Sequence, residues 1–277
     1  MKEAHRNHCF VNSNWREVSA EYSRTSEATV WTQAHQWDFD VEVGQATASE
    51  IRKGLNLRPR DRVLEVGCGT GTLLQLVLNQ GQEGVGLDVC EPLVQQSERF
   101  GINKKVVKLA VAEAAHLPIP SNSFDKVFCF SIFHHFPDAS YAELAIREMF
   151  RVCRPNGKVF IGDVCGIMER RRKLLLRFGV PEFLADAFLW VLKPFKRTIA
   201  GRYGRLFYRR SFFRQSFAVL PCEYRFLEPA TPGRTTSNWR FNVGIYKHWG
   251  LTKAGVLQFL AWFWSAMINT GELSVSL

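Results

Sequence analysis

From residue 57 onward the hydrophobic positions fall into short blocks of alternating character. Apolar, β-branched runs at 62–66, 83–88, 105–110, 124–131 and 158–163 predict five strands. Between them, 73–79, 91–100 and 140–152 carry apolar residues at helical spacing and predict helices. Strands that alternate with helices imply a mainly parallel sheet with right-handed crossovers. Arg58-Pro59-Arg60-Asp61 and Arg154-Pro155-Asn156-Gly157 read as turns. Later, 222–227 and 239–247 read as two more strands, joined by a loop rich in Pro, Gly and Thr at 228–238. That pair is expected to close the sheet as an antiparallel hairpin. Ahead of the alternation, 1–49 is polar with scattered aromatics, and 50–56 reads as a helix end, so 1–56 is expected to form an N-terminal helical cap.

Charge adds a segment that the periodicity alone does not isolate. The chain carries a formal net charge of +10, yet between Gly166 and Gln215 there are 13 Lys and Arg against 3 acidic residues. The rest is neutral, so the basic character belongs to 166–215, which interrupts the domain expected over 57–247. Phe183, Leu184, Ala187, Phe188, Val191, Leu192 and Phe195 recur there at helical spacing. The basic residues that follow are interleaved with Tyr203, Phe207, Tyr208, Phe212 and Phe213. A basic helical lid is the expectation, with three readings open: a solvated helical face whose apolar side packs on the domain, contact with an anionic membrane surface or a lipid-like acceptor, or attraction of nucleic acid. The wide apolar stripe favours lipid over nucleic acid.

The tail, 248–277, is expected to hold an apolar helix. Residues 254–268 are apolar except Gln258 and Ser265, and fall short of the roughly 20 needed to span a bilayer. That stretch suits burial, dimerisation or a membrane interface. The seven cysteines show no CxxC spacing and several sit in strand-like runs, so they are read as reduced. With no secretory pattern at 1–10, a cytoplasmic location is expected, peripheral at the membrane if the lid and tail bind lipid.

Chemistry concentrates in Val63-Leu64-Glu65-Val66-Gly67-Cys68-Gly69-Thr70-Gly71. A strand that ends in alternate glycines and enters a helix allows a tight turn and close backbone approach to a ligand. Asp88 ends the second strand, where an acidic side chain can accept hydrogen bonds from both hydroxyls of a ribose. Loop and acid together describe an adenosine-containing ligand. A dinucleotide fingerprint reads GxGxxG, whereas this one reads GxGxG, which disfavours a nicotinamide-dependent reductase.

In these residues the chain resembles the class I S-adenosylmethionine-dependent methyltransferases, the type 11 group in particular. The resemblance continues through Ala112-Glu113-Ala114, Leu117-Pro118-Ile119-Pro120, Ser123-Phe124-Asp125, Phe130 to Phe136, Glu148 to Val152 and Arg154 to Lys158. It implies a Rossmann-like α/β fold: a seven-stranded, mostly parallel sheet with an antiparallel last strand, helices on both faces and a lid insertion after strand five. It also implies S-adenosylmethionine as cofactor. Gly67 and Gly69 would line its methionine portion, with Glu65 orienting the amino group, and Cys68 and Gly71 of the same turn would also be cofactor-binding. Asp88 would hold the ribose, Val89, Glu113 and Ala114 the adenine, and Ser131 would meet the sulfonium.

Methyl transfer from a sulfonium is an in-line displacement that needs alignment and exclusion of water more than acid help. A hydroxyl acceptor would gain from a general base. His134, His135 and Asp163 stand at the carboxyl ends of strands four and five and are the candidates; packing beside the cofactor is the bland alternative for the histidines. Tyr22 is a candidate cover for the cofactor, and His5 and His8 lack partner ligands, so no metal is expected. The expected activity is methyl transfer to a small-molecule or lipid-like acceptor. The alternative is a catalytically silent binding or membrane-adaptor module on the same fold.

Overall fold

The computed structural model describes residues 41–78, 81–167, 198–200, 206–230 and 240–248. Helix α1 (Val41–Leu55) opens the described chain, then β1 (Val63–Val66), α2 (Thr72–Val77), β2 (Gly84–Asp88), α3 (Glu91–Gln95) and β3 (Val107–Val111). There follow β4 (Phe124–Phe130), α4 (Ala139–Val152) and β5 (Cys153–Cys165). Beyond them come β6 (Thr198–Ala200), β7 (Leu206–Tyr208), α5 (Arg210–Phe217), β8 (Cys222–Leu227) and β9 (Arg240–Lys247).

Seven of the strands form one sheet in the order β3-β2-β1-β4-β5-β9-β8. The first five run parallel, and β9 is antiparallel to both β5 and β8. This is the seven-stranded Rossmann-like α/β architecture expected from the chain, with the hairpin where the pattern put it. Strands covered on both faces read as continuous apolar runs. All four residues of β1 are buried, Glu65 among them. Two cores result. One face holds Leu73, Leu74 and Val77 of α2 with Ile51 and Leu55 of α1, over Phe128 and Phe160. The other holds Ala142, Ala145, Ile146 and Met149 of α4 with Tyr208 of β7 and Phe212, Phe213 and Phe217 of α5.

Local causes can be named for α4 and α1. Asp138 caps α4 by accepting the Tyr141 N–H at 2.8 Å. Helix α1 buries Thr47, Ala48, Ile51 and Leu55 at helical spacing and reaches the sheet through Gly54, where a Cβ would lie 2.5 Å from the Phe160 ring. The expected cap is thus, in its described part, a layer of the sheet domain.

Three expectations are corrected. The helix at 91–100 is split into α3 and a 3₁₀ turn over Gln96–Phe100. The turn at 154–157 lies within β5, where Cys153 pairs with Phe124 and the register shifts between Phe124 and Lys126. Asn156 absorbs that irregularity with φ 62°. In the basic insertion, β6 and β7 pair antiparallel, so its described part is strand and helix rather than all helix. Phe207, Tyr208, Phe212 and Phe213 are buried, as expected for an insertion whose apolar side packs on the domain. Residues 168–197 and 254–268 lie outside the described residues. Among those described, no helix is long and apolar enough to cross a membrane.

Candidate functional site

The glycine turn is stitched to the end of β2. The Gly67 and Cys68 N–H groups both donate to the Leu87 carbonyl, at 2.6 and 3.1 Å. Gly67, Gly69 and Gly71 have φ of 76°, 54° and 85°. At Gly67 only glycine serves: φ is left-handed, and a Cβ would lie 2.4 Å from the Ile132 side chain. Asp88 completes the turn. One carboxylate oxygen accepts the Gly69 N–H at 2.7 Å and the other the Cys90 N–H at 2.8 Å. Burial raises the Asp88 pKa, and the backbone bonds from Cys90, Gly69 and Val89 oppose that rise. A carboxylate has about four lone-pair sites, so each oxygen can still accept from a ligand hydroxyl.

Glu65 lies beneath the turn at 2% exposure. Burial, then the Asp88 charge, pushes its pKa well above the ordinary 4.5, and a backbone hydrogen bond from Leu74 pulls the other way. Its Oε2 is buried with no partner in the protein. An unpaired buried acceptor is costly unless a ligand donor meets it. The Cys68 thiol is turned inward, 2.7 Å from where a Cβ on Gly86 would be, so Cys68 offers the site its backbone only.

A pocket opens beside this turn. Gly67, Asp88 and Val89 form one wall, Ala112 and Ala114 a second, and Ile132, His135, Phe136, Pro137 and Tyr141 the third. Glu113 is half-buried and bridges to His116 next to the second wall. Ser131 is half-buried with φ 62°, and its N–H donates to the Gly162 carbonyl at 3.1 Å; it precedes the third wall without being part of it. Backbone strain of this kind on a non-glycine residue gathers at functional edges.

The three candidate bases separate in space. His135 faces the pocket. His134 is fully buried, with its ring 4.0 Å from that of His135, and supports it from behind. Asp163 is 3% exposed and ion-paired with Arg240 at 2.6 Å. It sits at a bulge where its N–H donates to the Asn242 side chain at 2.7 Å, and Asn242 donates on to Glu50 of α1 at 2.6 Å. That network fastens β5, β9 and α1 together and holds Asp163 away from the pocket wall. Tyr22, His5 and His8 lie outside the described residues.

Sequence reasoning missed most of the third wall. Ile132 and Phe136 flank the short 3₁₀ turn Phe133–His135, too brief to show periodicity, and Tyr141 sits in the first turn of α4. The Tyr208 hydroxyl, from the basic insertion, donates to the Phe133 carbonyl in this turn at 2.7 Å. Glu148 and Arg151, met in the sequence only as part of a motif, hold the approach to β4. Glu148 accepts the Leu117 N–H at 2.9 Å, and Arg151 donates to the Ile119 and Leu117 carbonyls at 2.7 and 3.1 Å.

Residues 64–161 match the methyltransferase-domain family, a span that runs from β1 into β5 and contains every wall of the pocket. The 27-O-demethylrifamycin SV methyltransferase of Amycolatopsis mediterranei is 32% identical over 114 residues, 39% of this chain and 40% of that one. The probable tRNA methyltransferase 9B of Mus musculus is 32% identical over 145 residues, 52% of this chain and 28% of that one. The chain thus spans less than half the length of either relative. Among solved structures, a chain of the Haloferax volcanii complex of the Trm112 methyltransferase activator superposes with a TM-score of 0.57 at 15% identity, covering 83% of this chain and 97% of that one.

Proposed function

Because the chain carries a class I S-adenosylmethionine-dependent methyltransferase domain, we propose that it transfers the methyl group of that cofactor to a small-molecule or lipid-like acceptor. The observation that carries the reading is the Gly69–Asp88 hydrogen bond, which sets a strained glycine turn and a ribose-competent carboxylate on one wall of a pocket. The bound cofactor supplies an electrophilic methyl on a positively charged sulfur. The residues present fit it. Gly67, Gly69 and Gly71 leave room along the methionine portion, with the backbone of Cys68 between them. The unpartnered Glu65 Oε2 is a ready acceptor for an ammonium. Asp88 has lone pairs left for the ribose, and Val89, Glu113 and Ala114 border the place of the base. Ser131, on the adjoining strand end, is proposed to face the sulfonium.

What the chain itself contributes is alignment and exclusion of water. The third wall is mainly apolar, with Ile132, Phe136 and Pro137 beside His135 and Tyr141. For a hydroxyl or amine acceptor, His135 is proposed to take the proton as the methyl arrives. His134 and Asp163 are proposed to act only through the turn and the strand that hold them. The acceptors named for the two relatives, a rifamycin and a tRNA, belong to proteins of which this chain covers less than half, and they define arms of a test rather than an answer. Peripheral contact with an anionic membrane is proposed for the remainder of 166–215 and for 254–268, since Phe207, Phe212 and Phe213 are consumed by the core.

Calorimetric titration of the full chain with S-adenosylmethionine, S-adenosylhomocysteine and NADH tests the cofactor, and the outcome expected is binding of the first two alone. A turnover screen across lipids, quinones, sugars, small metabolites and tRNA, following S-adenosylhomocysteine release, tests the acceptor. Binding without turnover on any of them would favour the silent-module reading, and turnover on tRNA alone would overturn the acceptor class. Failure to float with anionic liposomes would remove the membrane partner.

A further inference from the structure

We propose that Tyr208 is a positioning residue for the pocket: its hydroxyl fixes the turn that presents His135, and so couples the basic insertion to the site. The functional weight of this rests on the methyl-transfer reading above; the geometry does not.

Tyr208 is fully buried and its hydroxyl donates to the Phe133 carbonyl at 2.7 Å. Within the turn, that carbonyl has only a long bond, from the Phe136 N–H at 3.3 Å. The turn is short, and Ile132, His135, Phe136 and Pro137, which stand on either side of Phe133, all line the pocket. The Tyr208 bond at its centre therefore joins the 2.9 Å bond from the His135 N–H to the Ile132 carbonyl in setting the direction of these four wall residues. Ring packing fixes the same point laterally: Phe133 meets Tyr208 edge-on at 5.7 Å and Phe213 at 5.6 Å. Tyr208 is itself held from its own side. Strand β7 pairs with β6, and Tyr208 bridges to Gly166 just past the end of β5. Strand β7 thus ends on the backbone of the turn, and a shift of β7 would be passed to it through a hydrogen bond rather than through loose contact.

The test uses the full chain with Tyr208→Phe, which keeps the ring and removes the donor. His135 is followed by the ¹H–¹³C signal of its imidazole, assigned with His135→Gln, in protein without ligand. S-adenosylhomocysteine affinity is measured alongside. Ile51→Val, a buried change in α1 on the opposite face of the sheet, is the control for general loss of stability. The expected result is a displaced His135 signal and affinity roughly three- to tenfold weaker in Tyr208→Phe, with neither change in Ile51→Val. An unmoved His135 signal in Tyr208→Phe, or an equal displacement in Ile51→Val, would overturn the proposal. Should Tyr208→Phe not fold, Tyr208→Met fills most of the same volume without a hydroxyl. Failure of both to fold would also overturn it, because the hydroxyl would then serve the whole fold rather than the turn. If the unaltered chain binds no S-adenosylhomocysteine, the methyl-transfer reading fails while the His135 signal still decides the role of Tyr208.

Discussion

At Gly67 two independent constraints coincide: a left-handed φ of 76° and the Ile132 side chain within 2.4 Å of any added Cβ. Gly67→Ala is expected to cost about 1–3 kcal/mol and to displace Ile132 from the pocket wall, weakening S-adenosylhomocysteine more than tenfold by calorimetry. Glu65 yields a prediction of a different kind. Its folded-state pKa is raised, so the folded chain holds a proton that the unfolded chain releases. The stability this proton provides is fully present below the ordinary value of 4.5 and is lost as pH rises through the raised folded value. Glu65→Gln is expected to flatten that decline and to raise the melting temperature on its alkaline side. Thermal unfolding of the ligand-free protein across roughly pH 5 to 9 checks it. The residues most exposed in the sequence were those fixed by backbone geometry: Gly67, Gly69 and Asp88 announce themselves by spacing. His135 did not separate from His134, because a one-turn 3₁₀ segment gives no pattern from which to tell the inward ring from the pocket-facing one.

Elements buried on both faces were legible for a simple reason. The apolar runs behind β1 and β4 have no polar face to confuse their limits, whereas the polar start of β5 read as a turn, and the hairpin of β8 and β9 was marked by its Pro- and Gly-containing connection. Strand β7 was not legible, since three residues framed by Arg205 and Arg209 look like part of a charged helix until Leu206, Phe207 and Tyr208 are found buried together. Contacts between elements also escape a linear reading. Lys247, closing β9, donates to the Phe150 and Cys153 carbonyls at 2.9 and 2.6 Å and so finishes the C-terminal end of α4. Burial lowers its pKa. Lys247→Met is expected to cost about 1–3 kcal/mol, read as a lower midpoint in urea unfolding with an unchanged slope. The Gly54 contact of α1 with Phe160 predicts a similar sign: Gly54→Ala gains helix propensity but is expected to lower the melting temperature, because the Phe160 ring must move.

For the whole molecule, the fastening at Asp163 joins segments that lie far apart along the chain. Glu50, Asp163, Arg240 and Asn242 meet at one place, and three of them are at most 5% exposed. Asp163→Asn would leave Arg240 as a buried charge without its counterion and is expected to cost about 3–5 kcal/mol. The double change Asp163→Asn with Arg240→Met is expected to recover a good part of that loss. Chemical unfolding of the three variants measures both. Such a result would mark Asp163 as part of the frame and leave His135 as the proposed base that lines the pocket.

The double duty of Asp88 bears on how the fold ages. Its carboxylate ties the glycine turn, at Gly69, to the chain just past β2, at Cys90, before any ligand arrives. A variant that never met a ligand would therefore still suffer for losing this side chain, and the turn outlasts any one use of the pocket as architecture.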